Sequence, residues 1–194
     1  MTRKAAPPQA EDNSRRAELV RTAARLFRDQ GYERTTVRDL GNAVGLQSGS
    51  LFYHFRSKAE ILEAVMAQGV GDITENARQA LQHVQGPKQR LSTLMQVHLT
   101  ALLGSSQNAL EVLLYEWDSL EPDARERIVR LRDEYEKIWQ QILDEAAQAG
   151  LIPDDTTLLR KMLFGSLNWT VQWFRPSGSL SIEQLADRML RLIM

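Results

Sequence analysis

Apolar side chains recur three and four positions apart over most of the chain, and the pattern reads as helices throughout, an all-α protein. The stripe Leu19, Ala23, Leu26 and Phe27 predicts a first helix from about Ser14 to Gln30, ended by Gly31, with Tyr32 packed at the corner. Val37, Leu40 and Val44 form a second, shorter face. Thr36 with Asp39 three positions on fits its start, and Gly45, which has no Cβ to clash, fits a left-handed stop. Gln47 or Ser48 starts a third helix confined to about residues 48–56, with Leu51, Phe52 and Phe55 inward. Ser57 and Glu60 then form an S-x-x-E capping box for a fourth.

That fourth helix runs from Ala59 to about Val84, with Ile61, Leu62, Val65 and Met66 near its start. Gly69 and Gly71 inside it mark either a soft point or close helix packing. Gly86-Pro87 breaks the chain. Further helices are expected at about Lys88–Leu103, Ala109–Ser119, Pro122 to Gly150, Asp154 or Asp155 to Arg175, and from Ser181 to the end, with a turn at Ser105–Asn108. The Pro122 helix carries the stripe Ile128, Leu131, Tyr135, Ile138 and Ile142, opposite a densely charged face that must be solvated. The helix after Asp155 is apolar nearly all round, so one side is expected to face the core and the other a partner subunit.

The third helix is too short to be stable alone, so its neighbours must hold it. Two short helices joined by a tight glycine turn fit a helix-turn-helix, or else an ordinary αα-corner. Charge separates the two. Residues 1–58 carry 11 Lys/Arg against 6 Asp/Glu, a net of +5, while residues 59–194 carry 13 against 19, a net of −6. The total of −1 hides a basic N-terminal piece suited to phosphate contact. Arg15 and Arg16 stand at the expected start of the first helix, where the dipole disfavours cations; a nearby phosphate or plain solvation accounts for them.

The run G-L-Q-S-G-S-L-F-Y-H-F-R-S-K-A-E, preceded by T-T-V-R-D-L-G-N-A-V, closely resembles the reading segment of the TetR/AcrR family of bacterial one-component regulators, over about residues 14–66. The resemblance implies a three-helix helix-turn-helix DNA-binding domain at 14–58 after an arm at 1–13. About six further helices at 59–194 would form a ligand-binding and dimerisation domain. It implies a cytoplasmic homodimer, nucleoid-associated when bound, that represses transcription from a pseudo-palindromic operator until a small molecule releases it. The family's DNA contacts map onto Thr36, Arg38, Gln47, Ser48, Gly49, Ser50, Tyr53, His54 and Lys58. Arg38 suits guanine, Gln47 and Ser48 suit base edges, and Tyr53, His54 and Lys58 suit phosphates or, for the two rings, packing on the first helix. Family members usually carry a larger or charged residue where Ser48 stands. Arg3 and Lys4 in the arm either touch DNA or belong to a free tail.

Expected effector contacts are Met66, Met95, His98, Leu102, Leu114, Trp117, Tyr135, Trp139, Met162, Asn168, Trp169, Gln172 and Trp173, an apolar set with a few polar groups. Each also reads as plain core. The segment L-N-W-T-V-Q-W-F-R-P-S-G looks like one in family members that sense acyl-CoA or related thioesters of lipid and steroid catabolism; there Arg175 meets coenzyme anions or simply ends a helix. A multidrug sensor controlling efflux is the alternative, and acidic pocket residues among Glu111, Glu116 and Asp118 would favour it. The expected dimer face is Leu159, Leu163, Leu167, Val171, Phe174, Ile182, Leu185 and Met189, four helices meeting across a two-fold axis.

Other classes lack support. There are no cysteines, three scattered histidines (His54, His83, His98), no glycine-rich phosphate loop and no nucleophile elbow, so no enzyme, cofactor or metal site is expected. No run of about 18 apolar residues suggests a membrane span, and the first residues lack the apolar core of a secretory signal.

Overall fold

The computed structural model describes residues 8–104 and 108–194, all helix and connection. Helices α1 (Pro8–Gln30), α2 (Val37–Ala43) and α3 (Ser48–His54) form the N-terminal unit. Then come α4 (Lys58–Leu81), α5 (Pro87–Leu103), α6 (Asn108–Tyr115), a 3-10 turn at Trp117–Ser119, α7 (Pro122–Gln148), α8 (Thr156–Trp173) and α9 (Ile182–Ile193). No helix among the described residues is long and apolar enough to cross a membrane.

The caps work largely as their sequence predicts. Thr36 Oγ1 accepts the Asp39 N–H at 3.1 Å while the Thr36 N–H donates to Asp39 Oδ2 at 2.9 Å, a reciprocal box. Gly45 sits at φ 69° and ends α2. Asp155 caps α8 and Ser181 forms a full box with Gln184 on α9. At α4 the arrangement differs. Ser57 Oγ accepts the Glu60 N–H at 3.1 Å, but the Glu60 carboxylate reaches one residue further back, to the Arg56 N–H at 2.7 Å. The bond therefore clips α4 to the residue just after the α3 C-cap.

Helix α1 begins at Pro8, ahead of the expected Ser14, so residues 8–13 belong to it and not to an arm. Arg15 and Arg16 then stand more than a turn inside the helix, where the dipole argument for a phosphate no longer applies. Arg16 instead lays its guanidinium 4.4 Å from the centre of the Phe55 ring. Arg3, Lys4 and most of the expected 105–108 turn lie outside the described residues; Asn108 opens α6.

Two cores meet along α4. Leu19, Ala23, Phe27, Leu40, Leu51, Phe55, Ile61, Leu62, Val65 and Met66 pack with Val112 of α6 and Leu120, Ala124 and Ile128 around the start of α7. The second core joins α4, α5 and α7 to α9, with Trp139 fully buried in it. Leu131, expected inward, is exposed. Gly69 settles one alternative: a Cβ there would lie 2.9 Å from that of Ala109, so the glycine lets α6 approach α4. A Cβ at Gly71 would meet open space.

Candidate nucleic-acid interface and effector cavity

The reading helix is held from behind and free in front. Leu51 and Phe55 are fully buried, but Phe52, expected inward, is 51% exposed, and Tyr53 is 79% exposed. In a seven-residue helix only two of the three apolar positions fall on the inner arc. Tyr53 therefore does not pack on α1; its ring meets His54 edge-on, with centroids 5.2 Å apart. Arg38, Gln47, Gly49 and Ser50 are exposed, and Gln47 caps α3 through its backbone alone, which leaves its amide unspent. The Ser48 side chain lies outside the described residues. Thr36 is committed to its cap, and its hydroxyl also donates to Asp39 Oδ2 at 2.6 Å.

Lys58 does not stand with this group. Its ammonium donates to the carbonyls of Tyr32 at 3.0 Å and Thr35 at 3.2 Å, and lies 4.1 Å from the Tyr32 ring centre. It ties α4 to the α1–α2 corner rather than facing a phosphate.

The second site is a cavity of about 400 Å³ between α4, α5, α6, α7 and α8. His98, Leu102, Leu114, Trp117, Tyr135 and Asn168 line it as expected. Val70 and Ile73 of α4, Leu110 and Leu113 of α6 and Phe164 of α8 complete the apolar wall, and Asp118, Arg132 and Glu136 form a polar edge. Other expected contacts fall elsewhere. Met66 is buried in the N-terminal core, and Met95 and Trp139 lie in the second core behind the wall. Met162, Trp169, Gln172 and Trp173 face outward, Gln172 onto the Tyr115 hydroxyl.

Half of the expected dimer face is turned inward. Leu163, Leu167, Phe174 and Leu185 are buried inside the chain's own core, with Leu159, Val171, Ile182 and Met189 packed against it. The uncovered stripe of α8 is Leu158, Met162, Trp169 and Trp173, exposed by 53%, 63%, 65% and 49%. A helix that is apolar all round has no periodicity to mark its inner side. Arg132 and Glu136 sit one turn apart on the charged face of α7, which reads from the sequence as solvated.

Inside the cavity His98 Nδ1 lies 3.1 Å from the Tyr135 hydroxyl and Nε2 lies 3.0 Å from Asn168 Oδ1. Burial lowers the imidazole to about 4, opposed only in part by the Asn168 bond, and burial likewise pushes the Tyr135 phenol well above its ordinary value. The pair is neutral near pH 7. At the edge, Glu136 is held by Arg160 and by Arg132 at 3.5 Å, and Arg132 also lies 5.3 Å from the Trp117 ring centre. Glu111 and Glu116 point the other way. Glu111 is raised by burial and faces Arg28, and Glu116 Oε1 accepts the Tyr32 backbone N–H at 2.9 Å. Arg28 also donates to the Asn108 side chain. Helix α6 therefore touches the cavity on one side and the α1–α2 unit on the other. Among the described residues no group of His, Asp or Glu could hold a metal.

A short exposed reading helix, wedged onto a helical body with an internal apolar cavity, defines a ligand-responsive helix-turn-helix regulator. Residues 19–65 match the model of the bacterial regulatory proteins of the tetR family, and residues 84–194 match a tetracyclin repressor-like C-terminal domain. The chain belongs to the TetR family and is a DNA-binding, ligand-responsive transcriptional repressor. The transcriptional repressor KstR2 of Mycolicibacterium smegmatis is 31% identical over 186 residues, covering 93% of this chain and 89% of that protein. The superantigen PfiT superposes with a TM-score of 0.83 at 46% identity, over 93% of this chain and 96% of the other. AibR in complex with isovaleryl coenzyme A and operator DNA superposes with a TM-score of 0.84 at 28% identity, over 92% and 97%.

Proposed function

We propose that this chain is a homodimeric repressor that holds a pseudo-palindromic operator until an acyl-CoA thioester enters the cavity. The effector half rests on the cavity itself: apolar walls around one neutral polar cluster, with a volume of about 400 Å³ that suits an acyl or ring portion. The nucleotide of the coenzyme would then lie outside, at an edge where Arg125, Arg132 and Arg160 outnumber Asp118 and Glu136. The likeness to AibR with its isovaleryl coenzyme A supports the same chemistry here. A cationic drug is less well matched, because the Glu136 carboxylate is already shared between two guanidiniums and Asp118 is fully solvated.

The DNA half rests on α3. Arg38 and Gln47 are offered to base edges, and Tyr53 to a phosphate. The uncovered α8 stripe, at spacings of four, seven and four, is the surface that a two-fold copy covers; such a dimer sets its readers about 10 bp apart or a multiple of it. A ligand among α4, α6 and α8 favours the position of α6 that suits it, and Glu116 passes that position to the α1–α2 corner.

The test is fluorescence anisotropy on DNA selected from a random library, titrated with isovaleryl-CoA and with a cationic dye. Release by the thioester is expected. Release by the dye alone would move the effector to the drug class.

A further inference from the structure

We infer that the effector is recognised through its carbonyl oxygen, by the side-chain amide of Asn168. This rests on the thioester reading above and adds the group that distinguishes a thioester from its apolar equivalents. Tyr135 has a buried hydroxyl, which needs an acceptor. His98 Nδ1, at 3.1 Å, is the acceptor beside it. A neutral imidazole has a single N–H. With Nδ1 accepting, the proton sits on Nε2 and donates to Asn168 Oδ1 at 3.0 Å. One lone pair of the amide oxygen is thereby taken. The amide nitrogen has no hydrogen-bond partner among the described residues, and Asn168 lines the cavity.

The row thus has one direction: Tyr135 donates, His98 accepts and donates in turn, and Asn168 is left presenting N–H groups inward. Donors in an apolar cavity match a carbonyl and disfavour an ammonium. A site built to hydrogen-bond one ligand group also rejects the analogue that lacks it, because its own polar atom is then left unpaired. Asn168 is the contact in this scheme, and His98 and Tyr135 are positioning residues that fix which end of the amide faces the ligand.

The experiment is calorimetric titration with isovaleryl-CoA and with S-(3-methylbutyl)-CoA, the thioether of the same carbon skeleton without the carbonyl oxygen. The parent is expected to prefer the thioester by roughly tenfold. Asn168→Leu is expected to bind both alike. Should that variant fold poorly, Asn168→Asp, of the same shape, is expected to lose the preference because it offers a carboxylate to a carbonyl. Tyr135→Phe frees the tautomer and is expected to shrink the ratio of thioester to thioether affinity, which a merely structural role would not do. A parent that binds both ligands equally, or an Asn168 variant that keeps the parent's ratio, overturns the inference while the thioester reading stands. A parent that binds neither ligand overturns the thioester reading and the inference with it.

Discussion

His98 and Arg38 are two residues whose chemistry follows from where they sit. Burial holds the His98 imidazole at about 4, below its ordinary 6.5. Between pH 6.5 and 4 the unfolded chain binds a proton that the folded chain refuses, so stability should be fully present above this window and fall as the pH drops through it. The displacement corresponds to about 3 kcal/mol at most. Thermal melts across the window should show the parent losing stability more steeply than His98→Gln, and parallel curves would refute the assignment. Arg38 is exposed on α2, the helix that packs against α3. Arg38→Ala should weaken binding to selected DNA by roughly ten- to a hundredfold and relax preference at one base pair. A uniform loss across all sequences would make it a phosphate contact instead.

At the scale of elements, α6 is the part with two duties. Its Leu110, Leu113 and Leu114 line the cavity, and Glu116 just beyond it holds the Tyr32 N–H. Glu116→Ala should leave isovaleryl-CoA affinity of the free protein within a factor of two or so, yet blunt its release of DNA, because coupling and binding are separate free energies. Anisotropy at saturating effector decides it, and release equal to that of the parent would remove Glu116 from the path. Gly69 belongs to the same joint. Its missing Cβ lets α6 seat on α4, so the glycine that reads from the sequence as a possible weak point is a packing contact. The caps at Thr36, Asp155 and Ser181 were legible because a cap is a local pattern of neighbouring residues. The Glu60 bond to Arg56 was not, since the same S-x-x-E spacing permits either backbone donor.

On the scale of the whole molecule, the uncovered α8 stripe predicts the assembly. Trp169→Glu places a charge in the middle of that stripe and should turn a dimer into a monomer in sedimentation, with loss of tight operator binding. A dimer of unchanged stability would put the interface elsewhere. Lys58, read from the sequence as facing DNA, is likewise decided only here: two carbonyls and a ring of the α1–α2 connection converge on its ammonium, and that connection is far from it in sequence.

The sequence by itself determined the helices, most of their caps and the identity of the reading segment, because these depend on periodicity and on neighbours within a turn. It also determined the separation of basic and acidic parts, which is a sum over residues. Only the tertiary structure decided which face of α8 is inside, that Phe52 faces out, that Arg132 and Glu136 edge the cavity, and that His98 joins Tyr135 to Asn168. The physical reason is common to all four. Burial is a property of what lies across from a side chain, and a helix that is apolar or charged over several faces leaves its own sequence silent about which face that will be.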